Sequence, residues 1–293
     1  MLSIKEKMTE RKFEAKLNNL DVLRKADPKS PVALIYHIQV KDSKAYKTWC
    51  INSSEQLEST SGRRVFNFTV DPVAREGLLI DHVVIDEFPS SKIALEFFSV
   101  TKTHLISSCS QITVLAIYPE AKLKLFIVRM LANILYFLRG IDDTGVPSDN
   151  WKASNIAVWP DEKQMMVARE QNLNSPLLVY NLNKNREIAL YQDQYAEIAP
   201  CSGEVAYERY SKIAGPLLLR RGAYPAYGGK PIGILYGDDN MLNDNWSKFV
   251  LVHYPQRRNL LAMIESDEYK ESQYHRDAGL ERVAIFMGSR KNF

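Results

Sequence analysis

Six polar side chains near the end of the chain are of types that handle small anions and protons: Arg220, Arg221, His253, Tyr269, His275 and Arg276. A guanidinium in an apolar cleft holds a carboxylate or enolate through a charge-assisted, two-pronged hydrogen bond. A histidine close to its ordinary pKa moves protons near neutral pH. Residues 217–221 read as a strand introduced by Gly215-Pro216, where neighbouring side chains point to opposite faces. Only one of Arg220 and Arg221 can then face a cleft, and the alternative for either is an arginine at a strand end that reaches solvent or an acid. His253 shares a strand face with Phe249 and Leu251. It serves there either as an acid–base group or as a core or rim histidine with satisfied ring nitrogens. Arg276 has Glu271 and Asp277 close by in sequence as alternative ion-pair partners.

Other chemistries find little support. His37, His82 and His104 are scattered, no His/Asp/Glu group has metal-ligand spacing, and neither a metal nor another cofactor is expected. The adjacent carboxylates of Asp86 and Glu87 fall on opposite faces of a strand, a poor arrangement for paired acid–base work. Gly228-Gly229-Lys230-Pro231 is turn chemistry without the strand-to-helix setting of a phosphate loop, and no serine nucleophile elbow is present. Lys+Arg 38 against Asp+Glu 35 leaves a formal charge of +3, too small to imply a nucleic-acid partner. Cys50, Cys109 and Cys201 make neither a zinc spacing nor a disulfide framework. With acids and bases mixed through the first sixteen residues, where a signal peptide needs an apolar core, the expectation is a cytoplasmic protein.

The elements that must position these residues fall into two similar series. Residues 5–26 read as a helix stopped by Asp27-Pro28, and strand 32–40, helix 43–58, strands 64–70 and 78–88, a helix from Ser90-Ser91, and strand 112–118 follow. The second series opens with a helix at 161–171 after Pro160, then strand 177–182, a helix carrying Ile188, Tyr191, Tyr195 and Ile198, the strand at 217–221, and strand 248–254. It ends with a helix kinked at Glu265-Ser266-Asp267 and a strand at 282–287. Ser30-Pro31 and Ser175-Pro176, which open corresponding strands, lie about 145 residues apart, the period of an internal repeat. The expected fold class is α+β: two ferredoxin-like β-α-β-β-α-β repeats pairing their sheets as an intramolecular dimeric α+β barrel. The expected boundaries are 1–119 for the first repeat with its N-terminal helix, 120–160 for a connecting helix and linker, and 161–293 for the second repeat.

The connecting helix, 120–139, is the most apolar segment. Its span 125–138 would be roughly 21 Å long, short of the roughly 30 Å hydrocarbon core of a bilayer. It is expected to be buried as a connector, ahead of two alternatives: a homodimer interface, and a membrane surface with Lys122, Lys124 and Arg129 at the headgroups. A membrane partner is not the favoured expectation.

Residues 186–288 resemble domain-of-unknown-function family 1330 of the dimeric α+β barrel superfamily. The residues that carry the resemblance are Gly215-Pro216-Leu217-Leu218, Arg220-Arg221-Gly222, Phe249-Val250-Leu251-Val252, Tyr254-Pro255, Ser266-Asp267-Glu268-Tyr269, Arg276 and Ala284-Ile285-Phe286-Met287-Gly288. The first half keeps Asp86-Glu87-Phe88-Pro89-Ser90 but lacks the Glu-Tyr and the later Arg, so one intact site is expected. The resemblance favours Arg221 over Arg220 and sets His275 and Arg276 near a cleft entrance. It implies a small-molecule-binding protein, or a cofactor-independent enzyme, acting on a small organic anion. Arg221, Arg276 and His275 would hold the anion, His253 would be the proton shuttle and Tyr269 would orient it. The alternatives are a non-catalytic interaction or sensing module that uses helix 120–139, and a haem-handling protein with His253 as ligand. Whether the protein is an enzyme is left open by the sequence.

Overall fold

The computed structural model describes residues 17–71, 74–75, 78–139, 152–237 and 241–290. Most of the expected helix at 5–26 and of the expected linker at 140–160 lies outside the described residues. The chain forms two compact units, residues 1–119 with 231–245, and residues 120–230 with 246–293.

In the first unit, β1 (Val32–Val40) is the most apolar strand and lies at the centre, antiparallel to β3 (His82–Phe88) and β4 (Cys109–Pro119). β2 (Arg63–Val70) pairs with β3, which gives the strand order β2-β3-β1-β4. α1 (Ser43–Ser59) starts at Asp42, whose carboxylate accepts from the backbone N–H groups of Lys44 and Ala45 and so satisfies two orphan donors. α2 (Ser91–Ser108) is capped in the same way by the Ser90 hydroxyl. Both helices cover the sheet face of Val32, Leu34, Tyr36 and Ile38, with Trp49, Phe97 and Phe98 in the same core, and Leu235 and Tyr236 of the 231–245 segment join that core.

The second unit has the same strand order. β5 (Leu177–Asn185) is central between β7 (Lys248–Tyr254) and β8 (Leu280–Arg290), and β6 (Tyr224–Gly237) pairs with β7. The order is β6-β7-β5-β8. Preceding the sheet are α3 (Lys122–Arg139) and α4 (Glu162–Glu170), the latter held by a capping box between Asp161 and Gln164. α5 (Gly203–Arg220) follows β5. Three short helices, α6 (Arg257–Glu265), α7 (Asp267–Lys270) and α8 (Gln273–Gly279), follow β7. The break at Ser266 is the expected kink, since its extended backbone ends α6 and opens α7.

Several expectations are corrected. Gly228-Gly229-Lys230-Pro231 is not a turn but lies inside β6, and the described end of the expected helix at 5–26 holds a two-residue strand, Leu17–Asn18, and one helical turn, Asp21–Arg24. Residues 217–221 are not a strand: α5 runs through Pro216, and Arg221 is its C-cap. Gly222 adopts φ +68°, Gly222 N–H bonds to Leu219 O, and Ala223 N–H bonds to Leu218 O, so the Arg-Arg-Gly sequence is a helix stop of the Schellman type. The alternation separating Arg220 from Arg221 therefore does not apply. Residues 188–198 hold a single 3-10 turn, Asp193–Tyr195, because Ala189 and Leu190 donate their N–H groups to Cys201 O and Ala278 O rather than along a helix. Finally, α3 is a helix but not a buried connector. Among its described side chains only Ala132 is fully buried, whereas Phe126, Ile127, Met130 and Ile134 are exposed and Phe137 is 87% exposed.

Candidate functional site

The face of the second sheet formed by Val179, Val250, Val252, Tyr254, Ile285 and Met287 meets the apolar sides of α5 and of α6–α8. They do not fill the space between them. A cavity of about 360 Å³ remains, at the lower end of the range for small-molecule sites. Ala214, Gly215, Leu218 and Leu219 of α5 line one wall, Leu260, Met263 and Ile264 of α6 another, and Leu125 and Val128 of α3 contribute at the side. A Cβ built at Gly215 would meet nothing within 4 Å, so this glycine leaves open space at the α5 wall.

Part of the polar lining, which also includes Asn181, Ser211 and Lys248, converges on Arg276. Tyr210 and Tyr269 share a 2.7 Å hydrogen bond between their hydroxyls. The Arg276 guanidinium lies 4.6 Å from the Trp159 ring centroid and 5.4 Å from that of Tyr210. Arg276 donates from Nη2 to Val158 O at 3.2 Å, and its buried Nε has no hydrogen-bond partner. Among the described residues it has no carboxylate partner. Of the two acids near it in sequence, Asp277 accepts instead from the Trp159 indole N–H at 2.5 Å and from Ser154 Oγ at 2.6 Å. That bond pins the indole whose face the guanidinium occupies.

The electrostatics of the cavity follow from burial. Burial alone would lower the Arg276 pKa, but the oxygens of Tyr210, Tyr207 and Tyr269 outweigh it and raise the value, so the group stays a cation. Burial pushes Tyr269 well above the ordinary phenol value, helped by Tyr210 and opposed by Arg276. It also raises Tyr210 and Tyr254. At neutral pH these phenols are dipoles without charge. A guanidinium sunk among neutral groups is costly, and the cost falls when an anion joins it. Glu120 is the carboxylate among the lining residues, and Lys124 pairs with it at 2.8 Å.

Of the residues singled out in the sequence, Tyr269 and Arg276 line this cavity together, and Arg221, His253 and His275 do not. Arg221 donates from Nη1 to Leu217 O at 3.4 Å, at the end of α5. His253 points to the other sheet face, where its ring packs at a tilt against Tyr224, with centroids 5.0 Å apart. Burial lowers its pKa, followed by Arg129 and Arg290. His275 Nδ1 lies 2.8 Å from the Tyr191 hydroxyl, and burial, then Arg209, lowers its pKa. The sheet face of Phe249 and Leu251 is buried, with Tyr180 packed against Phe249 at 4.9 Å and Phe286 at 5.4 Å. Haem ligation by His253 does not fit the cavity, because His253 is not in its lining. Among the described residues no three His, Cys, Asp or Glu side chains come together to hold a metal ion. Trp159 and Tyr210 were missed in the sequence. Tyr207, Tyr210, Ala214 and Leu218 follow helical spacing, a signal hidden by reading residues after Gly215 as a strand.

No protein-family model matches the chain, and no curated protein matches it. Among solved structures, the RPA0582 protein of unknown function from Rhodopseudomonas palustris is 23% identical over 44% of this chain and 93% of its own, with a TM-score of 0.39. A mutant chlorite dismutase from Candidatus Nitrospira defluvii is 8% identical over 91% of this chain and 93% of its own, with a TM-score of 0.47. At these values neither likeness carries an inference about activity.

Proposed function

We propose that the second unit binds one small organic anion, a carboxylate with an apolar body, in the cavity between its sheet and α5–α8. The observation that carries this reading is the buried Arg276 guanidinium, without a carboxylate partner among the described residues, in a predominantly apolar lining. The carboxylate would accept from the guanidinium and from a Tyr210 or Tyr269 hydroxyl, while Val252, Leu260 and Met287 surround the apolar body. Binding is favoured over turnover, because the phenols are held neutral and the lining carboxylate, Glu120, is paired with Lys124. Arg221, His253 and His275 have no part in this ligand shell.

Displacement of the fluorescent anion 8-anilinonaphthalene-1-sulfonate by octanoate and by octanamide tests the reading, since the two share a chain and differ in charge. Octanoate should displace the dye and octanamide should not. The advantage of octanoate should fall at least roughly thirtyfold in Arg276→Met. Equal displacement by both compounds would contradict the proposal.

The fold proposal is finer than mixed α+β. The shared strand order supports reading the two units as ferredoxin-like repeats, with the likeness to family 1330 confined to the second. The pairing of their sheets as one barrel belongs to the same proposal, and small-angle scattering tests it. A radius of gyration of about 19 Å is expected for 293 residues in one compact body, and a clearly larger value would contradict the pairing.

A further inference from the structure

We propose that α3 docks on a lipid surface bearing anionic headgroups. Leu123, Phe126, Ile127, Met130, Ile134 and Phe137 are all exposed on this helix, at spacings of three and four residues that set them on one face. A contiguous apolar face of this size marks a surface made to be covered. Lys122, Lys124 and Arg129 are exposed beside it, and residues 121–141 contain no Asp or Glu. An apolar face edged with basic residues suits a helix lying in the plane of a membrane interface, with the apolar side chains below the headgroups and the cations among them. Among the described residues no helix is long and apolar enough to cross a membrane, so the contact is in-plane.

Charge decides between this occupant and a second copy of the chain. A second copy would set one net-basic helix against another, since Lys122, Lys124 and Arg129 outnumber Glu120, which pairs with Lys124, whereas a headgroup phosphate or carboxylate complements the excess cations. The other side of α3 adds Leu125 and Val128 to the cavity wall, so docking would bring the cavity close to the membrane surface. The docking does not rest on the anion-binding reading, and the two fail separately.

Sedimentation of the full chain with vesicles of phosphatidylcholine, alone or mixed with phosphatidylserine, tests the proposal. Wild type should sediment with the mixed vesicles, less so at high salt, and remain in the supernatant with phosphatidylcholine alone. In the double variant Phe126→Ser, Phe137→Ser, which leaves the cavity lining untouched, vesicle affinity should fall at least roughly tenfold while octanoate still displaces the dye. Three results would overturn the proposal: no sedimentation with either vesicle, equal sedimentation with both, or a double variant that binds like wild type. So would light scattering that gives a dimer for wild type and a monomer for the double variant, because the face would then belong to a second copy.

Discussion

Each unit buries an arginine on the helix-covered side of its sheet, and the two are treated in opposite ways. In the first unit Arg64 faces Asp86 directly across β2 and β3, and its guanidinium holds both carboxylate oxygens at 2.9 and 3.2 Å. Ser53 Oγ, Ser54 Oγ and Cys50 O take further N–H groups, and the Trp49 ring lies 5.2 Å from the guanidinium carbon. In the second unit Arg276 has the corresponding aromatic partner in Trp159, but a carbonyl and phenols stand where the carboxylate and hydroxyls would be. A pocket between α1 and α2 reaches Trp49 and Ser53 but is not lined by Arg64 itself, whereas Arg276 lines its cavity directly. A buried cation that brings its own anion is a structural feature. One that lacks it is the basis of the anion-binding proposal.

The same substitution at both positions should have opposite effects on stability. Arg64→Met strands the Asp86 carboxylate in the core and should cost about 3–5 kcal/mol in urea unfolding. Arg276→Met removes an unanswered charge and should leave stability unchanged or raise it by about 1 kcal/mol. Equal losses would erase the distinction between the two arginines.

Acid should act on the first unit through His37. Burial holds His37 down to about 4 from 6.5, while its Nδ1 lies 3.1 Å from Thr113 O. The folded pKa lies below the unfolded one, so the stability from neutral His37 is whole above pH 6.5 and is lost as pH falls towards 4. The loss is about 3 kcal/mol, and His37→Gln should flatten this part of the curve of unfolding free energy against pH. A slope unchanged by the substitution would assign the acid sensitivity elsewhere.

The smallest effect is expected at the phenol pair. Tyr269→Phe breaks its hydrogen bond to Tyr210 and should cost about 1 kcal/mol of stability, with roughly a tenfold loss of octanoate affinity. Retained affinity would leave Arg276 as the sole polar anchor.

Local signals in the sequence placed several strands and helices. β1 and β7 lie where their apolar runs begin and end, and Ser90 opens its helix as a cap. The Gly-Pro of α5 misled because turn residues can sit inside a helix when its flanks are packed, and there the C-terminal stop was Gly222. Tyr269 and Arg276 were legible through the family resemblance. Their grouping with Trp159 and Tyr210 was not, because it rests on tertiary contacts, such as that of Arg276 with Val158 118 residues away, that no spacing encodes. The cross-strand register that sets Arg64 opposite Asp86 was hidden for the same reason. The exposure of α3 was hidden too, since an apolar helix reads alike whether a core or a partner covers it.

A crystal structure with 4-iodobenzoate, its iodine located by anomalous scattering, tests the role of Arg276 most directly. The expected result is a carboxylate within hydrogen-bonding distance of the Arg276 guanidinium and of a Tyr210 or Tyr269 hydroxyl, with the iodine in the apolar part of the cavity. A carboxylate bound elsewhere, or a cavity empty at saturating ligand, would contradict that role and return Arg276 to the structural class of Arg64.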